Sequence, residues 1–147
     1  MRVISLSSKN KLAFPSLEWL KAYKKALNNS KKYEEVAKNW EGDFLFIIEA
    51  DERLKETKYY WLDLWHGKCR DVAELASPTE KRAAFIYSGP YGNWIKLIQG
   101  EIDPLKGIIR RKFKVKGKLS KLLKEAKGAK QMIVAAQDVP TDFLKKE

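Results

Sequence analysis

The sequence predicts a single α+β domain in which two helices precede a sheet and more helices follow it. Three observations carry that expectation. The apolar residues recur at helical spacing over 16–40, at a period of two from Asp43, and at helical spacing again after Asn93. The chain has 147 residues, a length that suits one core burying roughly two-thirds of the unfolded surface. Apolar residues make up 44%, yet no unbroken apolar run, Phe44 to Ile48 among them, exceeds five residues, where a membrane-spanning helix takes about twenty.

The elements follow in order. SLEWLKAYKKALNN places Leu17, Leu20, Tyr23 and Leu27 on one side and Lys21, Lys24 and Lys25 on the other. Ser16 is its expected N-cap, Glu18 suits the positive end, and Asn28-Asn29 stops it. Ser30 opens a second helix through Tyr33, Val36, Ala37 and Trp40, expected to run until Gly42. GDFLFIIEA is apolar on both faces, as a strand central to a sheet should be. KYYWLDLWH alternates Tyr60, Leu62 and Leu64 against Tyr59, Trp61, Asp63 and Trp65, and Gly67-Lys68 signals a tight hairpin. CRDVAELA is ambiguous between helix and strand by propensity; RAAFIYSG reads as a strand with Ala83, Phe85 and Tyr87 in register. The sheet is therefore antiparallel at least in part.

In WIKLIQGEIDPLKGIIRRKFKVKG the expectation is a short helix capped by Asn93 and ended by Gly100, then a helix opened by Asp103-Pro104 that presents Leu105, Ile108 and Ile109. KFKVKG then alternates, with Phe113 and Val115 inward and Lys112, Lys114 and Lys116 outward. LSKLLKEAKGAKQMIVAA is helical through Leu122 and Leu123, interrupted at Gly128, and continues through Met132 and Ile133.

Charge is uneven. Against 30 Lys and Arg stand 19 Asp and Glu, and residues 101–147 carry a net +7 while 1–100 carry +4. Between Arg110 and Lys130 ten basic residues face only Glu125. Such a block can meet nucleic-acid phosphates or an anionic membrane; 24 lysines with 12 glutamates also suit the surface of a heat-adapted protein. The nucleic-acid reading lacks aromatic residues among the basic ones, because Phe113 alone occurs there and its alternation turns it inward. A single cysteine, Cys69, and a single histidine, His66, exclude an internal disulfide and leave too few ligands for a structural zinc site. Both read as structural residues in WHGKC, and Asp63, Glu49 and His66 form no recognisable acid/base spacing. MRVISLSSKNK lacks the apolar stretch of a secretory signal, and DFLKKE has no retention or peroxisomal tripeptide, so the expected location is cytoplasmic.

The order helix, helix, strands, then NWIKLIQGEIDPLKGIIRRKFKVKGKLSKLL, resembles the sterol carrier protein 2 type lipid-binding domain. FPSLEWL, ALNNSKKY and NWEGDFLF are similar to a prokaryotic or archaeal subgroup of it. The resemblance covers about residues 14–143, within a domain taken as 14–147 behind an N-terminal extension, 1–13. It implies a twisted, five-stranded, mainly antiparallel sheet with helices over one face enclosing an apolar tunnel, and it makes CRDVAEL the third strand. It implies no catalysis and no cofactor, and lipid as the partner, such as an acyl chain, acyl-CoA, isoprenoid or sterol.

The apolar residues expected to border the ligand are Phe46, Ile48, Leu62, Phe85, Trp94, Leu97 and Ile98 from the sheet and the helix after it. Leu105, Ile109, Phe113, Leu122, Leu123, Met132 and Ile133 follow from the last third of the chain. Tyr60, Tyr87 and Trp94 could each give a headgroup one hydrogen bond. Arg110, Arg111, Lys112, Lys114 and Lys116 are the expected contacts to an anionic membrane. The alternatives are a basic nucleic-acid module or an accessory domain of a lipid-metabolising complex.

Overall fold

The apolar run Phe44 to Ile48 lies in the middle strand, Phe44–Glu49, of a five-stranded sheet, as its double-sided hydrophobicity requires. The computed structural model describes residues 10–145; the first nine residues of the expected N-terminal extension and the last two of the chain lie outside the described residues. In chain order the elements are β1 (Leu12–Phe14), α1 (Leu17–Asn28), α2 (Lys31–Val36), β2 (Phe44–Glu49), β3 (Lys58–Trp65), β4 (Lys68–Leu75) and β5 (Phe85–Pro90). Then come α3 (Tyr91–Ile98), α4 (Pro104–Ile109), β6 (Lys114–Lys116), α5 (Leu119–Leu123), α6 (Ala126–Gln137) and β7 (Thr141–Phe143).

The sheet order is β4-β3-β2-β5-β6. Three neighbouring pairs are antiparallel and one, β2 with β5, is parallel, with Phe44 opposite Phe85. A crossover between β4 and β5 makes that parallel pair possible. Tyr60, Leu62, Leu64, Phe85 and Tyr87 are buried beneath the helices, whereas Tyr59, Trp61 and Ile86 on the opposite face stay half-buried. CRDVAEL is strand β4 despite its indifferent propensity, because pairing with β3 decides it. A second, two-stranded sheet that the sequence reading did not assign joins the chain ends: β1 runs parallel to β7. Tyr91 secures it, donating its hydroxyl to Phe14 O and accepting from Leu144 N.

Several boundaries differ from expectation. Ser16 and Ser30 cap α1 and α2 by accepting from Trp19 N and Tyr33 N, as expected. Helix α2, however, stops at Val36, six residues before Gly42; Ala37 and Trp40 are buried beyond its end. The β3–β4 turn sits at His66-Gly67, both at positive φ, one residue earlier than Gly67-Lys68. A Cβ on Gly67 would stand 2.6 Å from Glu34 O, so the close approach of α2 excludes any larger residue. Asn93 is not a cap. Helix α3 begins at Tyr91 behind Pro90, and the side chain of Asn93 instead donates to Lys112 O. The C-terminal helix breaks at Lys124-Glu125, before Gly128, which is buried inside α6.

Candidate functional site

Helices α1, α2, α3 and α6 do not settle flush onto the sheet. Between them and the buried sheet face lies a cavity of about 100 Å³, lined almost wholly by carbon. About 10–15 Å³ of such space suffices for one water, so there is room for roughly seven to ten groups of water or methylene size. Close-packed interiors rarely leave such a volume.

Each lining element contributes through its amphipathic pattern. From the sheet come Phe44, Phe46 and Ile48 on β2, with Tyr60 and Tyr87 beside them; from α3 come Trp94, Leu97 and Ile98. Leu105 reaches in from α4, Leu122 from α5, and Met132 and Ile133 from α6. The front of the chain contributes as well, through Trp19, Leu20 and Tyr23 on α1 and Tyr33 on α2. The sequence reading set Leu20, Tyr23 and Tyr33 on apolar helix faces and gave Trp19 no role, because the i, i+3, i+4 spacing that buries a side chain does not say whether another side chain fills the space in front of it. Pro104, Leu105, Met132 and Ile133 are half-buried and bring the cavity to the surface where α4 meets α6.

Of the fourteen residues expected at the ligand, nine border this cavity: Phe46, Ile48, Trp94, Leu97, Ile98, Leu105, Leu122, Met132 and Ile133. Five do not. Phe85 stacks behind the lining residues Trp40 and Phe44, and Phe113 behind Tyr87 and Trp94. Leu62 is fully buried opposite Phe44 in the β2–β3 register. Ile109 is 72% exposed. Helix α4 turns Pro104, Gly107 and Ile108 toward the core, with Gly107 drawn against Phe113, and Ile109 falls on the far side. Leu123 is 43% exposed because the single turn of α5 can bury only Leu122.

The polar atoms around the cavity are nearly all used by the protein itself. Tyr60 donates to Glu74, Tyr87 to Pro104 O, and the Trp94 indole to Ile47 O and Gly89 O. These three, expected to meet a headgroup, are therefore already engaged. Tyr23 donates to Met132 O, the Trp19 indole to Thr141 Oγ1 and the Trp40 indole to Gly42 O. Two side chains remain, Tyr33 and Glu125, for which the described residues offer no hydrogen-bond or ion-pair partner. Burial, reinforced by Cys69 and Glu125, raises the Tyr33 phenol well above its ordinary range. Burial also raises the Glu125 carboxyl, against the pull of Lys121.

A second, polar cleft shares Pro104 and Ile133 with the cavity and is edged by Lys106, Arg110, Lys112 and Lys130. Arg110, Arg111, Lys112, Lys114 and Lys116 are all exposed. They divide: Arg110 and Lys112 border the cleft, whereas Lys114 and Lys116 flank inward-facing Val115 and so point to the sheet face away from the helices.

The cysteine and histidine are structural here. Cys69 is buried, its backbone exchanges two hydrogen bonds with the Asn28 amide, and burial pushes its thiol up to about 12, far from a thiolate at neutral pH. His66 lies in the hairpin turn, 2.6 Å from Glu41 Oε2. No group of three or more His, Cys, Asp or Glu able to hold a metal occurs among the described residues. No helix among the described residues is long and apolar enough to cross a membrane.

Comparison with known proteins agrees with this geometry. The model of the SCP-2 sterol transfer family matches residues 20–129. A crystal structure of sterol carrier protein 2 is 28% identical, covering 83% of this chain and 95% of its own, with a TM-score of 0.75. A solution structure of a conserved hypothetical protein, possibly sterol carrier protein, from Thermus thermophilus is 27% identical, covering 86% and 90%, with a TM-score of 0.78. The apo form of sterol carrier protein 2 from Yarrowia lipolytica shares the fold at 19% identity, covering 80% and 88%, with a TM-score of 0.54. Comparison with curated proteins gives no match. A matched stretch spanning most of the chain, over a sheet and helices that part around an apolar cavity, makes this protein a member of the SCP-2 sterol transfer family, whose general activity is the binding or transfer of lipids.

Proposed function

We propose that this protein, without catalysing a reaction, holds one hydrophobic lipid tail in the cavity between sheet and helices and exchanges it at an anionic membrane surface. The carbon-lined cavity itself carries the reading. Each methylene removed from water contributes about 0.8 kcal/mol, so eight of them contribute on the order of 6 kcal/mol before the entropy of binding is subtracted. A tail longer than the present space requires lining side chains to shift, and the flexible thioether of Met132 beside half-buried Leu105 and Ile133 is the softest part of the wall. The same stretch of wall is the route by which a tail enters.

The basic cleft supports the membrane half of the proposal, because it adjoins that entrance through Pro104 and Ile133. Ile109, exposed beside Arg110, is placed to dip into the interface while the basic residues meet lipid phosphates.

The test is native mass spectrometry with lipid extraction on the purified protein, together with titration by an uncharged pyrene-labelled lipid. The expected result is saturable uptake that falls at least tenfold in Leu105→Glu and Met132→Glu, each substitution bringing a charge into an apolar wall. Absence of uptake by the wild-type protein, with tight and salt-steep retention of an oligonucleotide, would transfer the basic residues to nucleic acid and end the lipid reading.

A further inference from the structure

We propose that α5 is a movable part of the cavity wall, a one-turn lid that a tail too long for the closed cavity lifts away by displacing Leu122. This rests on the lipid reading above and adds how the site takes tails of different length.

A cavity of about 100 Å³ holds roughly seven to ten groups of methylene size, so a longer tail needs some element of the wall to give way. The element to yield is the one that the rest of the fold holds least. The strands are fixed by their ladders. Helices α1 and α3 bury four and five side chains, and α6 is tied through Met132 O to the Tyr23 hydroxyl. The shorter helices α2 and α4 are fastened in other ways. Ser30 caps α2, and Gly67 packs against its Glu34 backbone. Asp103 caps α4, and the Tyr87 hydroxyl donates to Pro104 O. In α5, by contrast, Leu122 alone is buried, while Leu119 and Leu123 are 40% and 43% exposed. No side chain caps this turn, and its backbone bonds among the described residues are local ones.

Two contacts close the lid. Leu122 fills its place in the cavity wall from inside. Lys121 clasps from outside: its ammonium donates to Glu41 O and lies 4.9 Å from the centre of the Trp40 ring, itself part of the lining. The same charge draws on Glu125, just past the end of the turn. Both ends of the segment suit a hinge. Gly117 stands at φ +128, and a Cβ there would lie 2.6 Å from Ala84 O, so the pivot is held close to the sheet. At the other end Glu125, at φ −105 and ψ 37, interrupts the helix before α6 begins. A long tail that takes the place of Leu122 restores the apolar contacts Leu122 gave up, so the cost of opening falls on the Lys121 clasp. A short tail leaves both contacts in place.

The experiment compares 1-octanol, which the closed cavity accommodates, with 1-hexadecanol, which exceeds it. Iodoacetamide labels Leu122→Cys, and the wild-type protein, whose single thiol at Cys69 is buried, gives the blank. Hexadecanol is expected to speed that labelling roughly tenfold over octanol, whereas Leu123→Cys, at an exposed position, labels at one rate with either. Lys121→Ala removes the clasp at an exposed position and so spares the core. In competition against the uncharged pyrene-labelled lipid, it should favour hexadecanol over octanol roughly threefold more than the wild type does. Lys124→Ala, the same charge lost one residue beyond the turn, should match the wild type. Equal labelling with both alcohols, the same acceleration at Leu123→Cys, an unchanged ratio in Lys121→Ala, an equal shift in Lys124→Ala, or competition by octanol without hexadecanol overturns the lid and leaves the lipid reading intact. Failure of the pyrene lipid to bind at all overturns the lipid reading itself.

Discussion

At the scale of single residues, a few positions are decided by how closely another part of the chain approaches. A Cβ on Gly89 would stand 2.6 Å from Phe113 Cδ1 and 3.1 Å from Lys112 O. The Phe113 ring cannot retreat, because Tyr87 and Trp94 hold it at 4.7 and 5.3 Å between ring centres. Gly89→Ala is therefore expected to destabilise the protein by about 1–3 kcal/mol, the usual cost of overpacking. Urea unfolding checks this as a lower midpoint at unchanged slope; an unchanged midpoint would mean that the ring has somewhere to go. The inward direction of Phe113 was legible in KFKVKG, since a period of two allows only one inner face. Its place behind Tyr87 and Trp94, one layer from the cavity, was not, because alternation gives a side but no depth.

At the scale of elements, local signals read true and distant ones did not. Asp103-Pro104 opens α4 as the sequence suggests, with the Asp103 carboxylate accepting from Leu105 N and Lys106 N, because a cap and its helix are neighbours in the chain. Asn93 misled because α3 receives its first-turn acceptor from Asp51, on the β2–β3 connection. Asp51 accepts from Gly92 N at 2.9 Å, and from Arg53 N and Leu54 N in its own loop. Burial alone would push its carboxyl up, but these three amides and the Arg53 charge outweigh it and hold the group below the usual range. A lowered folded-state value means that the contribution to stability is complete above the ordinary carboxylate pKa of about 4 and disappears as pH falls through the folded one. The melting temperature of Asp51→Asn should thus lie below wild type near neutrality, with the gap closing on acidification. A gap that is constant with pH would assign the effect to packing.

At the scale of the whole molecule, the helix–sheet–helix order and an antiparallel hairpin follow from apolar periods and the turn at Gly67, and the mainly antiparallel five-stranded sheet from the family resemblance, whereas the parallel β2–β5 pair and the β1–β7 sheet depend on contacts between distant segments. The charge excess was legible as a sum and not as a surface. Folding splits KFKVKG: Lys112 joins Lys106, Arg110 and Lys130 at the cleft beside the entrance, while Lys114 and Lys116 turn to the other side of the sheet. Docking through the cleft therefore predicts unequal effects from equal charge changes. Arg110→Gln with Lys112→Gln removes two cations that each contribute about 1 kcal/mol at an anionic surface, so affinity for phosphatidylserine-containing vesicles should fall on the order of 30-fold. Lys114→Gln with Lys116→Gln removes the same charge from a face turned away and should leave binding within about twofold of wild type, because at about 0.1 M salt the Debye length is only about 10 Å. Raising the salt to about 1 M, where that length shrinks to about 3 Å, should release the wild-type protein from such vesicles. Vesicle co-sedimentation reads all of these, with phosphatidylcholine alone as the uncharged control. Equal losses from the two double variants would make the docking a matter of net charge, and retention at high salt would make it apolar; either result would end the proposal that the cleft docks the protein for lipid exchange.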